Sequence, residues 1–252
     1  MANLEEALKE LLNKHPKTPI ASPTAIQRLK EKGLQIPEST KISLEKAVED
    51  FFSEERKAAA LEMAKKLPER LKIPVPAVVT LHNEIRTAAI LGLNGAAITL
   101  SGILIEYMLK YATYKIEIGG FAKYDAKKTD EFEKLDFSNA INRADKNKLL
   151  TKKIKKELIE FKNDIRNPYN HYNIKKITSK IHNKNVTILD TNTGIIETKS
   201  IAAVDDPVIQ SQAKPFADNV NVFPVIIFTD NIVKYLWNKI SHLLKTAKSD
   251  SD

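Results

Sequence analysis

Hydrophobic positions recur along much of the chain at intervals of three and four residues, the period of a helix with one buried face. The clearest case is Leu150, Ile154, Leu158, Phe161 and Ile165, which predicts an amphipathic helix with a single apolar stripe. A last helix is expected from Thr229 or Asp230, a good N-cap pair, with Ile232, Val233, Leu236, Trp237, Ile240, Leu243 and Leu244 along one face. A longer helical region is expected from about Val78 to Lys115. Its stretch from Ala88 to Ile105 carries no charge, but Asn94, Thr99 and Ser101 interrupt it. The run stands at the lower edge of the roughly 20 apolar residues that a membrane span needs. It reads as the central buried helix of a bundle, in which Gly92, Gly95, Ala96 and Gly102 let another helix approach closely.

Prolines punctuate residues 1–75, which are expected to form a helical subdomain of their own. One helix covers about Leu4 to Lys14. A second follows Ser22 and Pro23 and stops at Gly33, and a third follows Ser39-Thr40 and runs through Leu44, Val48, Phe51 and Phe52. Such a trio over 22–52 could be a helix-turn-helix DNA reader of a regulator, although it is more often plain packing. "KIPVPAVV" at 72–79 reads as a linker or entry turn into a second unit, 76–252. Within that unit, 119–140 reads as a loop with a short helix. After residue 185 the period shortens, and "NVTILDTNTGIIETKSI" fits a β-hairpin. With the proline-bearing "DDPVIQSQAKPFADNVNVFP" behind it, this makes an expected insertion over about 185–228. The fold class expected is therefore all-α, a helical bundle with an N-terminal helical subdomain and a small β-hairpin insertion.

Charge changes the picture next. The 252 residues carry a formal net charge of +8 and a pI near 9.3, which favours an anionic partner such as nucleic acid. The bland alternative is a set of solvated lysines. Lys152, Lys155, Lys156 and Lys162 lie off the apolar stripe of the 150–165 helix, and Lys175 and Lys176 follow it; together they are the candidate backbone-binding residues. Cysteine is absent, so disulfides, thiolate zinc sites and cysteine nucleophiles are excluded, and a reducing cytoplasm suits the chain. His15, His82, His182 and His242 show no ligand spacing, so neither a metal nor another cofactor is expected. No glycine-rich phosphate loop, GxSxG elbow or paired-carboxylate motif occurs. The opening "MANLEEALKELLNKH" is acidic early and does not read as a secretory signal, and no membrane association is expected.

The candidate chemistry lies in "DIRNPYNHY", residues 164–172. Proline disfavours helical geometry in the residue before it, so the long helix is expected to end near Ile165 to Arg166. Asn167 is then a good N-cap and Pro168 a good first residue of a new helix, with His171 in its first turn. Arg166 and His171 can point into one crevice, a fixed cation beside a group that changes protonation near neutrality. They can equally be a helix-end arginine and a capping histidine. Asn167 has capping and phosphate contact open to it, and Asn170 stands beside it in the motif. Tyr169 and Tyr172 can stack on bases or wall the core. Glu106 can face the crevice or pair with Lys110 one turn on.

The order Arg166-Asn167-Pro168-Tyr169-Asn170-His171 resembles the R-x4-6-H signature of HEPN domains. The upstream "AAITLSGILIEYMLK" is similar to that family's apolar second helix. The resemblance covers about 76–184, with the final helix completing the bundle, and it implies an all-α fold that dimerises and brings two such motifs into one cleft. It further implies a metal-independent endoribonuclease of toxin or antiphage-defence type, with RNA as substrate and an antitoxin or regulatory protein as a possible partner. Arg166 and His171 would be catalytic and Asn167, Asn170, Tyr169, Tyr172 and Glu106 supporting. Other family members keep the fold and bind nucleotides or proteins without cutting.

Overall fold

The structure, a computed structural model, describes residue 49 and residues 52–189, 196–205 and 207–249. Over these it is mostly helical. The expected helices at 4–14 and 22–33, most of the third, and with them the helix-turn-helix reading, lie outside the described residues.

Helix α1 (Glu54–Lys66) starts at Ser53, whose hydroxyl accepts from the Arg56 N–H at 3.4 Å, and none of its residues is buried. The segment after it behaves otherwise. Leu67, Leu71, Ile73 and Val75 are buried in the bundle core, the last two within the 72–79 stretch expected as a linker or entry turn. Pro76 then opens α2 (Pro76–Ile90), where its missing N–H costs nothing.

The helical region expected as continuous from Val78 to Lys115 is two helices, α2 and α3 (Asn94–Glu117). Gly92 breaks it, at a φ of 74°, a left-handed conformation that glycine adopts without a Cβ clash. The uncharged 88–105 run is thereby divided, and no helix of the described residues is long and apolar enough to cross a membrane. Helix α3 is the axis of the bundle. Ala97, Ile98, Leu104, Ile105, Met108, Leu109 and Ala112 on it are sealed from solvent, under α2 on one side and the last helix on another.

Two helices occupy much of the stretch expected as a loop: α4 (Ala126–Glu133), capped by Asp125, and α5 (Phe137–Lys146), capped by Asp136. Thr151 caps α6 (Lys152–Phe161), and Leu150, Leu158 and Phe161 of its stripe are buried as the spacing predicts. Beyond the motif, strands β1 (His182–Leu189) and β2 (Ile196–Ala202) pair antiparallel, His182 opposite Ala202 and Leu189 opposite Ile196, with an irregularity between Asn183 and Val186. The residues joining them lie outside the described residues.

The last helix corrects the sequence reading most. It starts at Pro207 rather than Thr229 and runs to Ser249, taking in the supposedly irregular connection with Pro215 and Pro224 inside it. An interior proline costs a helix about 3 kcal/mol. Against that, Ala213, Ala217, Val222, Val225, Ile226, Ile232, Val233, Leu236 and Ile240 are all buried, a continuous apolar face on both sides of the prolines. Burial of such side chains is worth about 1.5–3 kcal/mol each for the larger ones, so packing outweighs propensity. We label this helix α9, after two short ones at the motif.

Candidate functional site

The helix does not stop at Arg166. Lys162–Arg166 form a π turn, closed by the Asn167 N–H donating to Lys162 O, and α7 (Asn167–Asn170) continues from it. Asn167 has helical dihedrals, φ −66° and ψ −45°, so it is not the N-cap that the sequence predicts. The physical reason lies in Pro168, which has no N–H to give and whose ring crowds the preceding turn. A widened turn makes room for the ring and keeps the helix going.

His171 consequently sits at the C-terminal end of α7 and not in the first turn of a new helix. Its N–H donates to Asn167 O at 3.0 Å. The Tyr172 N–H reaches Tyr169 O at 3.2 Å and the Asn173 N–H reaches Pro168 O at 2.7 Å, the paired bonds of a Schellman ending. Tyr172 occupies the left-handed position at φ 49°, where glycine is usual. Asn173 then caps α8 (Ile174–Ile177).

Arg166 is held from several sides. Its Nη2 donates to Glu106 Oε2 at 2.8 Å and its Nη1 to Asn167 Oδ1 at 3.2 Å. With the Asn170 amide oriented so that both its atoms are satisfied, Asn170 Oδ1 accepts from Arg166 Nε at 3.3 Å and Nδ2 donates to Arg166 O at 3.3 Å. Three of five guanidinium N–H groups are thus engaged, which leaves two. The guanidinium carbon lies 5.6 Å from the centroid of the buried Phe137 ring. Glu106 also accepts from Lys110, one turn on, at 2.9 Å. The side chains of Arg166 and Glu106 are 20% and 16% exposed, enclosed but reachable.

The remaining site residues divide by exposure. His171 is exposed, and no hydrogen bond joins its side chain to Arg166 among the described residues. The two stand five residues apart, about 140° round a helix axis. Tyr169 is 6% exposed and forms part of the core wall, whereas Tyr172 is 64% exposed. Lys214 of α9 puts its ammonium 5.5 Å from the first ring and 5.4 Å from the second, and pairs with Asp218 at 2.6 Å. Burial pushes the Tyr169 phenol well above its usual range, so it stays protonated. Asn221 and Asp218 are close enough to act on that hydroxyl, but neither meets it in hydrogen-bonding geometry and Tyr169 Oη has no partner.

Among the lysines, Lys155 pairs with Asp145 at 2.6 Å and Lys156 with Glu160 at 3.8 Å. Lys162 Nζ donates to Ser138 Oγ at 3.0 Å and Lys176 Nζ to Asn163 O at 2.7 Å. Lys152 and Lys175 are exposed and free of ion pairs among the described residues. No group of three or more metal-ligating side chains occurs among the described residues.

Sequence reasoning missed Phe137 and Lys214, and took Gly102 for a point of close helix approach without naming Arg166 as what approaches; the three come from three other helices. A Cβ on Gly102 would lie 3.0 Å from Arg166 Cγ, so the missing side chain is the seat of the arginine stem. Glycine in mid-helix was the available signal, since it is costly there without a packing reason. No family model matches the chain, and neither a curated protein nor a solved structure matches it significantly.

Proposed function

We propose that the chain is a metal-independent RNA endonuclease whose active site is completed when two copies bring Arg166 and His171 into one cleft. The observation that carries the reading is the posture of Arg166, fixed by Glu106, Asn167 and Asn170 with two N–H groups to spare, while His171 stays exposed and uncommitted nearby. A phosphate oxygen is the acceptor that such a pre-set planar cation suits. The reading takes the bundle as HEPN-like, with the β1–β2 pair as a small hairpin inserted before α9. It also takes the role to be that of a cytoplasmic toxin or antiphage-defence protein, restrained by an antitoxin or another regulatory protein.

The chemistry balances without a metal. His171 of one copy takes the proton of the ribose 2′-hydroxyl, and the 2′-oxygen attacks phosphorus. The bond from phosphorus to the 5′-oxygen breaks as His171 of the second copy protonates that oxygen. The two arginines hold the non-bridging oxygens, whose charge rises on the way. Products are a 2′,3′-cyclic phosphate and a 5′-hydroxyl, and solvent restores the two histidines. Proton transfer of this kind is worth about 10²–10⁴-fold.

The test is cleavage of single-stranded RNA by the purified protein in excess EDTA, with the ends of the products identified. We expect cyclic-phosphate ends from the wild type and a fall of at least about 100-fold for His171→Ala. RNA left intact by the wild type, or cut equally by His171→Ala, removes the nuclease reading. A second reading, a non-cutting module of the same fold that binds nucleotides or a partner protein, is favoured by the lack of an Arg166–His171 hydrogen bond within one chain. Stoichiometric RNA or partner binding without cleavage distinguishes it.

A further inference from the structure

Away from the motif, the extended segment after α1 and the middle of α9 enclose a cleft of about 220 Å³. Arg70, Lys72 and Lys234 line it, with Glu69, Asn238 and Trp237. The three cations are exposed and make no ion pair among the described residues. Three cations against one carboxylate leave the cleft uncompensated. Arg86, anchored on Pro68 O, is near enough to feel Arg70: burial first, then repulsion from Arg70, pulls its pKa down, and the buried Asp230 opposes them. Arg70, Lys72 and Lys234 thus outnumber the one carboxylate that lines the cleft, an excess that an anionic ligand relieves.

Trp237 supplies a second kind of recognition. It is the chain's single tryptophan, and it is half-buried, with Phe121 packed on it at 5.1 Å between centroids and a tilt of 41°. An indole held by one aromatic neighbour at the wall of a cationic cleft has the make-up of a base-stacking platform.

We propose that this cleft binds one nucleotide unit, its base on Trp237 and its phosphate on Arg70, Lys72 and Lys234. Glu69 suits the ribose hydroxyls as an acceptor, and Asn238 can both give and accept at a base edge. The volume sets a limit. Pockets that enclose drug-sized ligands measure about 300–1,000 Å³, so a cleft of about 220 Å³ holds a single nucleotide unit only partly enclosed, and no dinucleotide. The bound unit is either a free nucleotide or one residue of a single strand. The site is distinct from the Arg166 motif. Arg166 meets Gly102, Glu106, Asn167 and Asn170, and none of these residues lines the cleft.

The single tryptophan makes the test direct, because all indole fluorescence comes from this cleft. The full chain is titrated with AMP, with a short single-stranded RNA, with adenosine and with inorganic phosphate, and heats of binding are recorded in parallel. We expect AMP, the RNA or both to shift Trp237 emission; AMP alone identifies a free nucleotide, and RNA alone identifies a strand. Lys72→Glu with Lys234→Glu, both exposed changes whose folding is checked by thermal melting, should raise Kd about tenfold or more. Trp237→Phe, followed by heat, should weaken AMP more than phosphate. No response to either AMP or RNA overturns the proposal, as does phosphate binding as tightly as AMP, or an unchanged Kd in the charge-reversed protein. Arg166→Ala should keep the fluorescence response, so a failed nuclease reading and a failed nucleotide site are told apart.

Discussion

Gly102 and Arg166 are a matched pair: the arginine's stem lies so close over the glycine that a Cβ there would stand 3.0 Å from Cγ. Alanine at 102 would favour the helix by roughly 1 kcal/mol through propensity alone. The same methyl group pushes the arginine off the pose that Glu106 and Asn170 define. The two effects separate stability from function. Gly102→Ala is expected to melt within a few degrees of the wild type while RNA cleavage falls about tenfold or more, since a small misplacement of a positioning group is costly. Thermal melting beside the cleavage assay checks it, and unaltered cleavage would show that Arg166 needs no such seat.

The Glu117–Arg143 bridge predicts how the fold responds to acid. Arg143 donates from Nε at 2.8 Å and from Nη2 at 2.7 Å to the two carboxylate oxygens, and Asn147 adds a bond at 3.0 Å. The hydrogen bonds from Arg143, with Asn147 and the nearby charge helping against burial, hold the Glu117 carboxyl below its ordinary value of 4.5. A depressed carboxyl contributes stability that is full above the unfolded value and is lost as pH falls through the folded one. Resistance to unfolding in urea should therefore weaken from about pH 5 downward, and Glu117→Gln should flatten that fall. Parallel pH profiles for the two proteins would refute the assignment.

His82 and Asp230 join α2 to α9 in the core at 3.1 Å, each 2% exposed. Asp230 Oδ2 is buried without a partner, so the pair already carries one unmet acceptor. Removing one member leaves the other stranded, which in buried pairs costs about 3 kcal/mol or more. Asp230→Ala should lower Tm by about 6–12 °C, at 2–4 °C per kcal/mol for a chain of this size. A shift below about 2 °C would mean that the pair is marginal.

How much of this was legible in the sequence depends on the range over which each feature is determined. The stripe of α6 could be read because Leu150, Leu158 and Phe161 obey one local period. The first half of α9 could not. Pro215 and Pro224 are strong local signals for a break, and only the distant surface of α3 makes a continuous helix worth their cost. Likewise Pro168 and Asn167 spell a new helix locally, whereas a π turn carries the old one through. For the site, the Arg166–His171 motif and Glu106 could be picked out by residue type. Gly102 gave a local sign as a mid-helix glycine, but not its partner; the Lys214 ammonium over two tyrosine rings and the Trp237 cleft join segments far apart in sequence, and no short-range pattern announces them.

Tyr169 and Tyr172, three residues apart, should respond in opposite ways to substitution. The Tyr169 hydroxyl is buried and unpartnered, so Tyr169→Phe sheds a group that the fold does not satisfy. Its stability should hold or rise by up to about 1 kcal/mol. At Tyr172 the left-handed backbone costs roughly 1–2 kcal/mol for a non-glycine residue. Tyr172→Gly recovers that, but loses up to about 1 kcal/mol to the freer unfolded chain. A further 0.5 kcal/mol or so goes with the Lys214 contact. The net change in stability is near zero, which means that the ring is not kept at this position for the sake of the fold. Its exposure beside His171 fits base stacking, worth about 1–3 kcal/mol. Tyr172→Gly should thus bind single-stranded RNA about tenfold more weakly at unchanged Tm, whereas Tyr169→Phe should bind it as the wild type does. Equal RNA affinity across all three proteins would assign Tyr172 no part in recognition.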